Sequence, residues 1–578
     1  MQNREVEVLL SSPGIQDYQL AIKSQEVKMI RVETAPNRDF VYAILEIPQN
    51  MKAGEVTFMF SQKGKLKFTH SWPVFQREKS SGHQGINSGD LIYLLFPDRF
   101  ANGDASNDVV SGMHESICDR TAPKGRHGGD LAGISQHLDY ISELGITALW
   151  LNPVLENNQD YESYHGYAAT NSYKIDPRFG TNEQFKTLVN DCHSRGIKVI
   201  WDVVYNHWGS RHRLFENLPD SNWVHWFDAF TRTSYRAEVL MDPYASNSDK
   251  KQMTDAWFDK HMPDLNQQDP HLARYLIQNS IWWIEYAGLD AFRIDTYAYP
   301  DQQFMKNLNE AIRKEYPQFV LFGETWVQGT PVQSWFTEKT YVKKDYSSSL
   351  NSVTDFQLFY AIQKGLNENF GWEEGFRRIE LTLSQDILYD KPEMLVTFLD
   401  NHDLSRFYSM VNEDDAKFKM GLCLLYTLRG IPSIYYGTEI QMKNYADPDA
   451  KVREDFPGGW PADGTNKFSS TGRNEKENST FELCKTLGNW RKENPWIASA
   501  KLMQFVPDDN TYVYFRYDKD HTLMCIYNGN DQNKDLYLAR YEERIQGREM
   551  TKDILSGSPI KLGEKITMLP KSVLLLEF

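Results

Sequence analysis

Between Leu91 and Tyr436 eight short apolar runs alternate with longer amphipathic segments, and this alternation constrains the chain more than any other feature. The runs are L-I-Y-L-L-F (91–96), I-T-A-L-W-L (146–151), K-V-I-W-D-V-V (198–204), D-A-F-R-I-D (290–295), F-V-L-F-G-E (319–324), S-V-T-D-F (352–356), M-L-V-T-F-L (394–399) and I-P-S-I-Y-Y (431–436). Segments such as I-S-Q-H-L-D-Y-I-S-E-L-G and D-D-A-K-F-K-M-G-L-C-L-L-Y-T-L, which lie between them, have helical spacing. Strands alternating with helices predict an α/β chain built on a (β/α)₈ barrel. The gap after the third run, about 205–268, is too long for an ordinary βα loop. It predicts a subdomain inserted over the barrel mouth.

The flanks have a different texture. At the N-terminal end V-E-V-L-L, V-K-M-I-R-V, F-V-Y-A-I-L-E-I and V-T-F-M-F are separated by turn-like P-N-R-D, P-Q-N and K-A-G, which predicts an immunoglobulin-like β-sandwich over 1–82. A polar Gly/Ser-rich linker, R-E-K-S-S-G-H-Q-G-I-N-S-G-D (77–90), follows. The barrel domain is assigned to 83–496. T-Y-V-Y-F-R-Y and L-M-C-I-Y-N then predict a C-terminal β-sandwich over 497–578.

Composition excludes several classes of function. A net charge of −16, from 63 basic and 79 acidic residues without a Lys/Arg-rich run, argues against nucleic acid and anionic membrane as partners. The five cysteines are scattered and form no CxxC, so no disulfide framework or zinc site is inferred. No apolar run approaches the length of a membrane span. M-Q-N-R-E-V-E-V-L-L is not a signal peptide as it stands. Localisation is expected to be periplasmic if a signal precedes this chain, and cytoplasmic otherwise. The 13% aromatic content suits flat amphipathic ligands such as sugars, and also large cores.

In a barrel of this kind functional groups sit at the C-terminal ends of the strands. D-A-F-R-I-D puts Arg293 and Asp295 on one face of a strand that should be buried. A guanidinium lowers the pKa of a neighbouring carboxyl, so Asp295 reads either as a salt-bridge anchor or as a nucleophile. The other strand ends bring His165 and Tyr167, Asp202 with Asn206 and His207, Glu324 with Trp326, Asp400 through Asp403, and Tyr436 through Glu439. Singly, each is an ordinary structural polar group. Together they predict a ring of carboxylates and imidazoles around one arginine, which is expensive to bury without a task. Such a ring suits hydrolysis at an acetal carbon, with one carboxylate attacking and a second, of raised pKa, protonating the leaving oxygen. Separately, D-R-F-A-N-G-D-A-S-N-D (98–108) is dense in hard oxygen donors, which suits calcium or an Asx-rich turn.

D-V-V-Y-N-H, F-R-I-D, G-E-T-W and F-L-D-N-H-D, in this order, resemble the four signature regions of the α-amylase family of glycoside hydrolases, and M-P-D-L-N (262–266) is similar to the extra signature of its neopullulanase/cyclomaltodextrinase branch. The resemblance covers nearly the whole chain. It implies Asp295 as nucleophile, Glu324 as general acid and then base, and Asp403 as the third carboxylate gripping the sugar. Arg293 would keep Asp295 ionised, His207 and His402 would bond sugar hydroxyls, and Tyr167 would stack on the ring beside His165. Trp326 would border the leaving-group side, on the same strand face as Glu324. Asp202 would be a supporting group. Arg453 and Asp455, in R-E-D-F-P-G-G-W, would contact sugar. Asn102, Asp104, Asn107, Asp108, Gly128 and Asp130 would bind a structural Ca²⁺.

The implied activity is retaining hydrolysis of α-1,4-glucosidic bonds in cyclodextrins, pullulan and maltooligosaccharides. Transglycosylation and general α-amylase activity are the enzymatic alternatives, and a non-catalytic glucan-binding relative is disfavoured because all three carboxylates are present. Tyr297-Ala298-Tyr299 replaces the Lys-His that many α-amylases carry after the nucleophile, which favours the cyclomaltodextrinase side. Relatives carry a W-W-x-G-M strand ahead of the M-Q-N region, so a longer precursor is expected. A homodimer, with the N-domain narrowing a partner's cleft, is a further expectation of this branch.

Overall fold

The structure, a computed structural model, describes residues 5–49, 51–77, 83–342, 344 and 347–578. Residues 78–82 of the expected linker lie outside the described residues. The first domain is two antiparallel three-stranded sheets: Glu5–Ser11, Phe40–Glu46 and Lys28–Thr34, with Phe40–Glu46 central, and Gln19–Lys23, Gly54–Gln62 and Lys65–Val74, with Gly54–Gln62 central. Alternation explains the unbroken apolar run of the first central strand. Val41, Ala43 and Leu45 point into the domain's own core with Val56, Phe58 and Phe60. Phe40, Tyr42 and Ile44 point the other way, into the core shared with the barrel. Lys65–Val74 escaped the sequence reading because it is a polar edge strand.

The barrel strands are β1 (Ile92–Leu95), β2 (Ala148–Leu151), β3 (Lys198–Val203), β4 (Ala291–Ile294), β5 (Val320–Gly323), β6 (Ser352–Val353), β7 (Val396–Phe398) and β8 (Ile431–Tyr435). All pairings are parallel and the eight strands follow one another around the sheet. A bridge between Thr354 and Val396 closes the seam between β6 and β7. β6 ends at Val353, short of the predicted Phe356. Asp355 instead caps the helix Phe356–Asn367 by accepting from Leu358 N, and it receives Arg429 through a short ion pair.

The long segment after β3 contains the short helices Arg213–Glu216 and Asn247–Asp255. Bridges from His207 to Asp264 and from Val224 to Leu265 tie it back, so that M-P-D-L-N lies beside the strand end it serves. The N-domain is held on the helix Pro270–Ala287. Gln278 exchanges two hydrogen bonds with the backbone of Glu7, and His271 stacks on Tyr42 at 3.8 Å. Among the described residues no helix is long and apolar enough to cross a membrane.

The C-terminal domain is a six-stranded antiparallel sheet with a two-stranded sheet, Lys534–Tyr537 and Lys565–Met568, packed on it. Its strand Thr511–Tyr517 is buried on both faces. Val513 and Phe515 face the domain core, and Tyr512, Tyr514 and Arg516 face the barrel. Arg516, 1% exposed, donates to the carbonyls of Thr427, Leu428, Ile497 and Ala500 at 2.6–3.1 Å. It closes the end of the helix Asp415–Thr427 against the linker into the C-domain. Arg516→Met is expected to leave those carbonyls buried and unpaired, costing about 3 kcal/mol and lowering Tm by about 2–4 °C. Differential scanning calorimetry checks this, and an unchanged Tm would show that the contact is dispensable.

Candidate active site

The C-terminal end of β4 organises the barrel mouth. Arg293, 1% exposed, stands directly opposite Asp202 in the β3–β4 register. Its NH1 donates to Asp202 Oδ1 at 2.8 Å and to Asp295 Oδ1 at 2.7 Å, and its NH2 meets Glu324 Oε2 at 2.8 Å. One guanidinium therefore bridges the ends of β3, β4 and β5. Thr296 repeats the bridge, with its backbone N–H donating to Glu324 Oε2 at 3.1 Å and its hydroxyl to Asp295 Oδ2 at 3.2 Å. Thr296 does this at φ +42°, a conformation a β-branched residue adopts only when its surroundings impose it.

Asp202 is the back wall of the site. Its second oxygen accepts from Trp150 Nε1 at 3.0 Å and from the Tyr167 hydroxyl at 3.1 Å. Tyr167 lies with its ring centroid 5.9 Å from the Arg293 guanidinium, and its hydroxyl is 2.7 Å from His402 Nε2. That nitrogen is in turn 3.1 Å from Asp403 Oδ2, while Arg453 NH2 donates to Asp403 Oδ1 at 2.7 Å. His165 Nδ1 accepts from Tyr167 N and so fixes the loop that presents the tyrosine. His207, 1% exposed, packs its ring on Phe258. Among the described residues, His207 Nε2 and His402 Nδ1 are buried polar atoms without a hydrogen-bond partner.

The structure thus brings together Asp295, Glu324, Asp403, Arg293, His402, Tyr167, His165 and Arg453. Trp326 does not share a strand face with Glu324, because β5 ends at Gly323. It is 46% exposed, stacked on Phe356 at 5.1 Å, and donates to the Tyr360 hydroxyl. Asp455 is engaged elsewhere, with His127 Nδ1 and Arg120 Nε both at 2.6 Å. Glu439 joins Tyr93 and Tyr140 at 2.9 and 2.7 Å rather than the carboxylate ring. Thr296, Trp150 and Tyr164 belong to the site and were not singled out from sequence. Trp150 and Tyr164 stood inside segments already read, as strand and loop residues, and Thr296 is betrayed only by its backbone. A cavity of about 960 Å³ stands apart from the barrel mouth. It lies between the N-domain strand Glu5–Ser11 and the helix Pro270–Ala287, away from the carboxylates.

Three carboxylates share one guanidinium, and all three are buried. Burial pushes Asp295 up to about 7, against the pull of Arg293 and with help from Asp202 and Asp403. Burial likewise raises Asp202, to about 6, and raises Glu324, whose neighbours Asp295 and Asp403 add to the effect. Arg293 favours the Asp295 anion, but its charge is divided among three carboxyls, and burial favours a proton shared within the cluster. Asp403 is the opposite case. Burial raises it, but His402, Arg453 and Arg293 together hold it well below the usual carboxylate range. Burial lowers His207 to about 3, so that it acts as a neutral imidazole.

The oxygen-rich loop lies beside β1. Asn102 Nδ2 donates to Asp108 Oδ1 at 2.7 Å, Asn107 Nδ2 to Asp130 Oδ2 at 3.2 Å, and Gly128 at φ +89° leaves no room for a Cβ against Asp108. Asn107 Oδ1 is buried without a partner. Burial, with Asp130, Asp98 and Asp104 nearby, raises Asp108. The unpartnered Asn107 oxygen and the Asp108 and Asp130 carboxylates are donors of the kind a hard divalent cation takes, while the Asn102 and Asn107 amides turn their nitrogens to those carboxylates. Asp104 is turned away to Ser106, and Asp130 also caps the helix Leu131–Gln136. Among the described residues no group of three His, Cys, Asp or Glu side chains is placed to hold a metal.

Comparison with known proteins agrees with this architecture. Residues 94–557 match the model of the α-amylase catalytic domain, and residues 1–78 that of the cyclomaltodextrinase N-terminal domain. Neopullulanase 2 of Thermoactinomyces vulgaris is 26% identical over 573 residues, covering 95% of this chain and 86% of the relative. A cyclomaltodextrinase of Thermoanaerobacter pseudethanolicus is 26% identical over 493 residues, 84% of this chain and 77% of the relative. Among solved structures, an Anoxybacillus α-amylase superposes with a TM-score of 0.70 at 25% identity, over 85% of this chain and 98% of its own.

Raised carboxyls have a thermodynamic consequence. The unfolded chain releases the Asp295 proton near pH 4, whereas burial lets the folded cluster of Asp295, Asp202 and Glu324 keep a shared proton to higher pH. Across that window the folded state binds more protons, so this group's contribution to stability falls as pH rises. Asp295→Asn is expected to have a higher Tm than wild type at pH 8, with the gain shrinking towards pH 5. Thermal melts at the two pH values check it; a Tm deficit that is equal at both would contradict the assignment.

Proposed function

The chain belongs to the α-amylase family of glycoside hydrolases, and from that premise we propose that it cleaves α-1,4-glucosidic bonds in cyclodextrins, pullulan and short maltooligosaccharides through a covalent glycosyl-enzyme intermediate. The observation that carries this reading is the seating of Asp295 and Glu324 on the two terminal nitrogens of Arg293, with Thr296 bridging them again. Carboxyls tied to one guanidinium favour the shorter of the two separations used by glycosidases, about 5–5.5 Å, which leaves no room for a water between Asp295 and the anomeric carbon.

Motif order assigns the roles. Asp295 attacks the anomeric carbon as the glycosidic C–O bond breaks, and Glu324 gives its proton to the departing oxygen. Glu324, now a carboxylate, removes a proton from water, which attacks the same carbon and releases Asp295. Two displacements retain configuration. A single shared proton in the buried cluster is what the first step needs, because it can rest on Glu324 while Arg293 and Thr296 hold Asp295 as the anion. Asp403, ionised throughout, accepts from sugar hydroxyls. His207 Nε2 and His402 Nδ1, buried without partners, are suited to bond others. Tyr167 offers its ring face, and Trp326 stands exposed on the leaving-group side. Calcium held by Asn102, Asn107, Asp108, Gly128 and Asp130 would order the loop next to β1 and supplies charge only.

The cyclomaltodextrinase-type N-domain and M-P-D-L-N favour small and cyclic glucans over starch. Initial rates on β-cyclodextrin, pullulan and soluble starch, with products followed by NMR, test the whole reading. β-Cyclodextrin should be turned over fastest, with the α-anomer released first, and Asp295→Asn or Glu324→Gln should lower kcat by about four orders of magnitude or more. Starch as the best substrate would refute the branch, a β-anomer the double displacement, and an active Asp295→Asn the nucleophile.

Calcium is tested separately. Calcium at about 100 times its Kd should raise Tm by about 2–4 °C over the EGTA-treated protein. Asp108→Ala should melt at one temperature in both buffers, and a calcium response that survived in this variant would move the site elsewhere.

A further inference from the structure

Asp403 is the carboxylate that the proposed reaction needs ionised throughout, and it is the least enclosed of the three. Its side chain is 30% exposed, against 9% for Asp295 and 10% for Glu324. A carboxylate on a turn, beside two others, would swing outward unless something held it. What holds it comes from a loop fifty residues downstream.

Arg453 is 5% exposed, and each of its nitrogens has a protein partner. Nε donates to the carbonyl of His402 at 2.8 Å, NH1 to the Tyr164 hydroxyl at 3.1 Å, and NH2 to Asp403 Oδ1 at 2.7 Å and Asp449 Oδ2 at 2.8 Å. The backbone behind it is fixed as firmly. Arg99, 1% exposed, donates to the Arg453 carbonyl at 2.8 Å and lies over the Tyr164 ring at 4.3 Å. Asp98 locks Arg99 in turn, at 2.9 Å. The Arg453 guanidinium therefore grips the D-N-H-D turn twice, at one backbone carbonyl and at one carboxylate oxygen. Asp403 Oδ2 is left beside His402.

We propose that Arg453 is a positioning residue that aims the Asp403 carboxylate at the sugar and keeps the turn carrying His402 in register, rather than a residue that binds the substrate itself. The inference rests on the functional reading only in taking Asp403 to touch the glucan. Other charged and titratable groups also face Asp403. His165 and Tyr167 approach from the β2 loop, Arg293 and Asp295 from β4, Glu324 from β5 and His402 from its own turn. Asp449 shares Arg453 NH2 with Asp403, and the one arginine in this group, Arg293, is already committed to three carboxylates. Losing Arg453 therefore removes the guanidinium that contacts the Asp403 carboxylate directly.

The test is steady-state kinetics on β-cyclodextrin across pH for Arg453→Lys and Arg453→Gln, with Asp403→Asn alongside and thermal melts of each. Both Arg453 variants are expected to lose about 100-fold in kcat through misplacement of Asp403, with KM changed by less than about threefold. Their acid limb of kcat should move to higher pH, because Asp403 protonates more readily without its partner. Lysine keeps a charge but not the planar fork, so Arg453→Lys should move the limb less than Arg453→Gln while remaining well below wild type in kcat. A KM raised tenfold or more at unchanged kcat, with the limb unmoved, would make Arg453 a sugar contact and overturn the proposal. If Arg453→Gln fails to fold, the kcat and limb of Arg453→Lys decide alone. Wild-type kinetics in Arg453→Lys beside an inactive Asp403→Asn would sink this inference and leave the functional reading intact. An active Asp403→Asn would sink the functional reading itself.

Discussion

Everything at the barrel mouth depends on one buried cation. Arg293 is shared by Asp202, Asp295 and Glu324, which arrive on three neighbouring strands. Take the guanidinium away and three carboxylates would face one another in a site from which water is largely excluded. With it, the negative charge is partly neutralised and a proton remains for chemistry. The arrangement has a cost. Burial raises all three carboxyls, and Thr296 is held at positive φ to complete the bridge. Strain and charge concentrated where the reaction occurs are what a pre-organised site requires, and the surrounding core supplies the stability to sustain them.

A second arginine separates the third carboxylate from this group. Asp403 leans on Arg453 and His402, and is therefore held ionised while its neighbours share a proton. Two carboxyl environments in one pocket, one poised and one permanently charged, allow proton transfer and hydroxyl binding to coexist. The same economy recurs at the domain boundaries. Arg516 gathers four carbonyls where the C-terminal sheet meets the barrel, and Gln278 pairs with the backbone of Glu7 where the N-terminal sheet does. Sheets whose two faces are both covered need such polar fasteners, because apolar packing alone does not satisfy the backbone at the seam.

Much of this was legible in the chain. The eight apolar runs became eight strands in the expected order, because short buried strands alternating with helices have few other ways to pack. Asp295, Glu324, His402 and Asp403 were recognisable because each ends a strand and stands where an apolar residue would be cheaper. Local pattern failed where a residue's partner was distant. Asp455 stood in the same motif as Arg453, yet it turns to Arg120 and His127 while Arg453 turns to Asp403. Glu439 ends a strand like the others and is spent on two tyrosines. S-V-T-D-F lost its last residues to a helix cap, since Asp355 satisfies a helix N-terminus better than it continues a strand.

Hydrophobic periodicity and strand-end polarity are local properties, so the architecture and the list of chemical groups follow from the chain alone. That Arg293 and Asp295 are neighbours follows too, since residues two apart on a strand share a face. How charge is distributed among them depends on contacts between strands far apart in sequence. That Arg293 serves three carboxylates, that Asp403 leans on a second arginine, and that Thr296 clamps acid to nucleophile are consequences of barrel closure. Closure brings the ends of β3, β4, β5 and β7 within hydrogen-bond reach, and in a dry site distances of that order set the protonation of each group.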